Sequence, residues 1–278
     1  MTLARSIRGN ISGAGYTIVV QFFGENTFVP PSFKEGVIRD MSDHGIDVLA
    51  FGAHADDVEI GMGGSLAKWT NIGKKIVICD LTEAELSSNG DVNTRRAEAE
   101  KAAKTLGVKE RVNLKFPDRG LSITDKYIRD MVQVIREYQP KVIFAPYYKD
   151  RHPDHEHCSQ LVTEAFFSAG IRKYMAAGEA KAHKPAFLYH YMINGFTTPT
   201  FMVDITKYIE QKVQALQAYQ SQFFMPQNGV KTPLTEGYIE TVTAREKLFG
   251  KEVGVAFAEG FVSNKPLLIQ NDIFGEKL

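Results

Sequence analysis

The chain of 278 residues is long enough for one sizeable domain, and its 44% apolar and 24% charged residues exclude a disordered or collagen-like polypeptide. Lys+Arg and Asp+Glu both number 33, so the net charge is zero and the basic footprint of a duplex nucleic-acid binder is absent. No run reaches the roughly 18 apolar residues of a membrane span, and two cysteines make no disulfide framework, so the expectation is a cytoplasmic protein with neither nucleic acid nor membrane as partner.

Residues 1–40 carry no clear periodicity. Arg5 and Arg8 precede a short apolar run, Tyr16 to Phe23. Thr17 and Gln21 interrupt that run, and Gly24-Glu25-Asn26 follows where a signal peptide needs a small-residue cleavage site. Pro30-Pro31 breaks any regular element. Lys34-Glu35-Gly36 can be encoded by a purine-rich string of the ribosome-binding-site form, and Met41 follows within a few codons. Residues 1–40 are therefore expected to be a disordered or untranslated extension, with 41–278 forming a single domain.

From Ile46 onward strands and helices alternate. Ile46 to Phe51 reads as a buried parallel strand, followed by a helix from about Gly61 to Ile72 and a second strand from Lys75 to Leu81. A helix near Thr94 to Leu106 puts Ala99, Ala102, Ala103 and Leu106 on one face and stops at Gly107. A short strand near Val112 to Leu114 follows. Thr124 can cap the next helix, which carries Ile128, Met131, Val132 and Ile135 and ends at Pro140. Val142 to Ala145, Leu188 to Ile193, Phe201 to Asp204 and Val255 to Val262 read as strands. Ile209, Val213 and Leu216 mark one helix, Ile239 and Val242 another. The pattern predicts an α/β, Rossmann-like fold with a mostly parallel sheet and helices on both faces, with sites at the carboxyl ends of the strands.

Two clusters fall at such ends: Ala53-His54-Ala55-Asp56-Asp57 after the first strand, and Arg151-His152-Pro153-Asp154-His155 after Val142 to Ala145. Together they offer a His/Asp/His metal set with an open position, the pattern of a catalytic centre. The helix after the second cluster buries Cys158, Leu161, Val162 and Ala165. His155, three residues before Cys158, lies on its inward edge, and His157, about 200° away, points outward. Asp56 and Asp57 cannot both face one metal in the same way; one can bind it while the other reaches the attacking water, unless Asp56 serves only as a cap. Asp154 can orient His152 and hold it protonated near a developing oxyanion, or cap the helix. Cys79 and Cys158 fall on buried faces and are expected to be inert. Gly61, Gly63 and Gly64 do not make a dinucleotide fingerprint.

Both motifs resemble the A-H-P-D-D loop and downstream H-P-D-H of the PIG-L/LmbE family of zinc-dependent N-acetylglucosaminyl deacetylases, with Ala55 in place of the first proline. The resemblance, over about residues 44–270, implies zinc on His54, Asp57 and His155, with ferrous iron equally suited to such ligands. It implies Asp56 as general base, His152 as acid or oxyanion stabiliser with Asp154 behind it, and Arg95, matched with Glu98, as a substrate contact. A homo-oligomer is also implied. Four stretches resemble the bacillithiol-biosynthesis deacetylases, which act on N-acetylglucosaminyl-malate: Ala169 to Tyr174, Tyr191 to Phe196, Ser221-Gln222-Phe223, and Lys231 to Tyr238. A malate aglycone needs cations, for which Arg95 and Arg151 are candidates. The expected reaction is hydrolysis of the acetamide of an N-acetylglucosaminyl conjugate. A thiol-conjugate amidase and a non-catalytic, metal-stabilised binding protein are the alternatives.

Overall fold

The computed structural model describes residues 4–11, 14–21, 45–225 and 227–268. Two units separate within it, 1–30 and 31–278. In the first, β1 (Ala4–Ile11) pairs antiparallel with β2 (Ala14–Gln21), in a segment where the sequence reading places no element. Met41 lies outside the described residues.

The second unit is built on a sheet in the order β5-β4-β3-β6-β7-β9-β8. Its strands are β3 (Val48–Gly52), β4 (Ile76–Thr82), β5 (Glu110–Phe116), β6 (Val142–Pro146), β7 (Phe187–Tyr191), β8 (Phe201–Asp204) and β9 (Ala258–Ser263). The five strands from β5 to β7 are parallel, and β9 joins antiparallel to both β7 and β8. The expected mostly parallel sheet is therefore present, with antiparallel strands at one edge. β3 and β4 are buried at every position, which is why they read as unbroken apolar runs rather than as alternation.

The helices are α1 (Asp57–Asn71), α2 (Val92–Thr105), α3 (Asp125–Tyr138), α4 (Pro153–Ala169), α5 (Ile209–Gln217), α6 (Gln220–Phe223) and α7 (Tyr238–Glu252). One face of the sheet, through Val48, Ala50, Ile76 and Ile78, joins a core with Leu66, Ala102, Leu216 and Val242 of α1, α2, α5 and α7. The alternate residues Leu49, Phe51, Val77 and Cys79 point to the opposite face, where α3 and α4 pack together. Among the described residues no helix is long and apolar enough to cross a membrane.

One local feature differs from expectation. α1 starts at Asp57 rather than near Gly61 and is broken at Met62 (φ −150°). A Cβ on Gly61 would overlap the Tyr191 ring, so glycine there serves close packing rather than a loop. Past the break, the Glu259 carboxylate accepts from Gly64 N–H (2.9 Å) and Ser65 N–H (2.6 Å), supplying the caps a restarting helix needs. Asp91 caps α2, accepting from Thr94 N–H. Gly237 occupies the cap position of α7, and Thr235 exchanges hydrogen bonds with Thr232. Thr124 caps α3 as expected.

Candidate active site

β3 occupies the position where the connections of the parallel sheet change direction, between β4 and β6. The loops leaving β3 and β6 therefore open beside each other at the strands' carboxyl ends. The β3 loop is pinned by Thr82 Oγ1, which donates to Ala53 O (2.9 Å), and it closes on itself through His54 N–H donating to Asp57 Oδ2 (2.9 Å). Asp56 takes φ 113°, a conformation that costs a non-glycine residue, and makes no cap bond to α1. Its carboxylate turns instead to Arg95. On the other side, Pro153 starts α4, where its fixed φ suits the first helical position, and His155 sits on the inward face of the first turn.

The three expected ligands meet. Asp57 Oδ1 lies 3.1 Å from His155 Nε2, and Asp57 Oδ2 lies 3.6 Å from His54 Nδ1. His152 joins them: nitrogens of His54, His152 and His155 fall within 4.8 Å of one another. His155 is buried as the helical periodicity implied, while His157 is half-buried.

Other expected residues have different partners from those inferred. Arg95 is 3% exposed; both terminal nitrogens donate to Asp56 Oδ2 at 3.2 Å, and one donates also to Ala55 O. Its guanidinium is thus engaged on the expected base, although Arg95 still lines the cleft. Glu98 accepts from Ser221 N–H and Oγ–H (both 2.7 Å), tying α2 to α6. The Asp154 carboxylate, placed behind His152 by the sequence reading, instead accepts from Arg119 N–H (2.9 Å) and Arg119 Nη1 (2.8 Å) and stands 3.4 Å from His54 Nε2. What reaches His152 is the Asp154 backbone: its N–H donates to Nδ1 at 3.3 Å. Arg151 is exposed, lines the cleft and makes no hydrogen bond or ion pair among the described residues.

Three residues that the sequence reading passed over complete the site. Asp118 Oδ1 lies 3.2 Å from His54 Nε2, and Arg119 holds Asp154. Asp150 lies 3.0 Å from His155 Nδ1. Asp118 and Arg119 follow the carboxyl end of β5, so the rule that located the two clusters points to them as well.

Electrostatics follow from this crowding. Burial opposes charge on His54 and His155, yet the surrounding carboxylates win: Asp118, Asp154 and Asp57 push His54 well above its ordinary value, and Asp57 and Asp150 push His155 up to about 9. Burial pushes Asp56 up to about 6 against the pull of Arg95. Burial also works upward on Asp154, but His54 and Arg119 hold it down at about 2. His152 goes the other way. Burial and the charges of His54 and His155 lower it, so the expected imidazolium is disfavoured. Both cysteines are fully buried, and burial pushes their thiols up, in keeping with inert packing.

The residues fit a divalent cation. Imidazole and carboxylate donors converge in a buried position, the carboxylates draw protons onto two histidines that a cation would replace, and buried His155 Nδ1 lacks an aligned hydrogen bond. The cleft above them is about 240 Å³ and is walled by Leu86, Arg119, Arg151, Asn194, Gln222, Leu234 and Tyr238 among others. That is small for a ligand pocket.

The chain is similar to several known proteins. The family profile "PIG-L: GlcNAc-PI de-N-acetylase" matches residues 49–166. The diacetylchitobiose deacetylase of Thermococcus kodakarensis is 33% identical over 227 residues, covering 77% of this chain and 81% of that protein. The probable N-acetyl-alpha-D-glucosaminyl L-malate deacetylase 2 of Bacillus anthracis is 25% identical over 217 residues, covering 72% and 92%. Among solved structures, the conserved protein TT1542 from Thermus thermophilus superposes with a TM-score of 0.75 at 36% identity, over 84% of this chain and 100% of that one. With two motif loops meeting at the switch point of such a sheet, the chain is an N-acetyl deacetylase of the PIG-L family.

Proposed function

We propose that this enzyme hydrolyses the acetamide of an N-acetylglucosamine unit in a small saccharide or glycoconjugate, with zinc as its metal. The observation that carries the reading is the meeting of His54, Asp57 and His155 beside Asp56 at the floor of one cleft. His54, Asp57 and His155 would hold the metal, which when bound supplies Lewis-acid polarisation of the carbonyl and a lowered pKa for water. Asp56, at about 6, is matched to accept a proton from the attacking water near neutral pH and to return it to the leaving nitrogen. Arg95 fixes the direction of that carboxylate. The Asp154 N–H on His152 Nδ1 selects the tautomer with hydrogen on Nε2, so a neutral His152 can donate to the oxyanion from that atom.

Two substrate readings have separate support. A chitobiose-type disaccharide is favoured by the 33% identical relative. A malate conjugate is favoured by the more distant one and by Arg151, a cation on the cleft wall with no ion pair among the described residues. Acetate release from N,N'-diacetylchitobiose, N-acetylglucosaminyl-malate and N-acetylglucosamine, each with zinc-loaded protein and an Asp56→Ala control, separates them. Activity on one of the conjugates, reduced about 10²–10⁴-fold in the control, is expected. Equal activity in the control would refute Asp56 as base, and no turnover of any acetamide would refute the reading.

A further inference from the structure

Asp150 lies in the connection from β6 to α4, two residues ahead of His152. Its Oδ1 accepts from His152 N–H (2.8 Å) and from Asn194 Nδ2 (2.8 Å), and its Oδ2 accepts from Asn194 N–H (3.1 Å). The same Oδ1 stands 3.0 Å from His155 Nδ1, a contact that is close but off the N–H axis. That nitrogen has no other partner among the described residues. The other nitrogen of the ring, Nε2, faces Asp57 at 3.1 Å. One imidazole therefore spans two carboxylates, one on the side of the ligand cluster and one behind it.

We propose that Asp150 is the positioning residue for the metal ligand His155: it takes the Nδ1–H, fixes the tautomer that leaves the Nε2 lone pair to the metal, and is itself held by Asn194. The inference rests on the reading of His155 as a ligand. Metal-bound histidines generally donate their second N–H to a carboxylate or carbonyl, and losing that partner weakens metal binding about 10–100-fold. The support is layered. Asn194 receives a hydrogen bond from Tyr238 Oη on its Oδ1 (3.1 Å), so the start of α7 and the loop after β7 brace the ligand from the far side of the cleft.

The test is zinc affinity by competition with a chromophoric chelator, for native protein, D150N, D150A, N194A and H155A, with thermal unfolding of each metal-free protein alongside. D150A is expected to weaken zinc binding about 10–100-fold. D150N, whose amide oxygen still accepts from Nδ1–H but carries no charge, and N194A are expected to weaken it less, with little change in metal-free stability. D150N is nearly isosteric and decides the matter if D150A does not fold. Zinc affinity within about twofold of native in D150A, or in D150N where D150A does not fold, with H155A impaired, would overturn the inference and leave the ligand set standing. Native affinity in H155A would overturn the ligand reading and this inference with it.

Discussion

The Asp56–Arg95 pair makes an asymmetric prediction. Both side chains are almost fully buried, and Asp56 Oδ2 receives two guanidinium nitrogens at 3.2 Å. Asp56→Ala leaves the guanidinium, which cannot be deprotonated, with Ala55 O as its one remaining hydrogen-bond acceptor among the described residues and the Tyr219 ring 5.5 Å away. Stranding a buried charge in this way costs about 3–5 kcal/mol. At about 2–4 °C per kcal/mol for a chain of this size, the melting temperature should fall by roughly 6–20 °C. Arg95→Met strands the carboxylate instead, but a carboxyl already at about 6 escapes by taking a proton. Its cost is therefore only about 1–2 kcal/mol, since one pKa unit is about 1.4 kcal/mol. The double variant removes both charges, so it should be more stable than Asp56→Ala alone, with a coupling of about 2–3 kcal/mol. The assay is thermal and urea unfolding of chelator-treated protein, so that bound metal does not screen the stranded charge. Zinc-loaded, all three variants should release acetate more slowly than native protein, Asp56→Ala by about 10²–10⁴-fold. If the double variant is less stable than Asp56→Ala, or the single losses add within about 0.5 kcal/mol, the pair is not coupled as the structure implies.

Tyr238 gives an alkaline prediction. Burial pushes its hydroxyl up to about 12, whereas the unfolded chain titrates near 10. Below about pH 10 both states keep the proton; between 10 and 12 only the folded state does, so stability falls there by about 1.4 kcal/mol per pH unit. The buried Tyr191 and Tyr219 are pushed up as well, so Tyr238→Phe keeps part of the alkaline loss. Urea unfolding between about pH 10 and 12 should be steeper in native protein by the Tyr238 share, and equal slopes would sink the assignment. At Gly61, an added Cβ would meet the Tyr191 ring, whose Cε2 would lie 2.9 Å away. Gly61→Ala should cost about 1–3 kcal/mol by overpacking and disturb the Tyr191 Oη hydrogen bond to Phe51 O (2.6 Å); an unchanged melting temperature would contradict the packing.

The legible parts of the sequence were those with a strong physical period. β3, β4 and β6 announced themselves as short apolar runs, and the face of α4 defined by Cys158, Leu161, Val162 and Ala165 carried His155 inward with it. The start of α1 was hidden because Gly61, Gly63 and Gly64 imitate a loop, whereas Tyr191 and Ile205 need the space a side chain would fill at Gly61 and Gly64. α6, with only four residues, has too few turns to show a period. Asp150 stands beside the second motif, yet one acid in a loop has no spacing to mark its use. Arg95 was visible as a site residue, but its partner was not. A buried guanidinium and a loop carboxylate 39 positions apart meet only once β3, β4 and α2 are in place.

The division of the proposed ligands between two strand ends also orders events in time. His54 and Asp57 follow β3, and His155 follows β6, which enters the sheet only after the chain has passed through β4, α2, β5 and α3. Closing a parallel pair over so long a detour is slow. A newly made chain would meet metal ions with at most two of the three ligands in place, so tight capture waits for the β3–β6 pairing. Metal uptake would then report completed folding rather than drive it, and refolding in the presence of a chelator should proceed at the same rate as without.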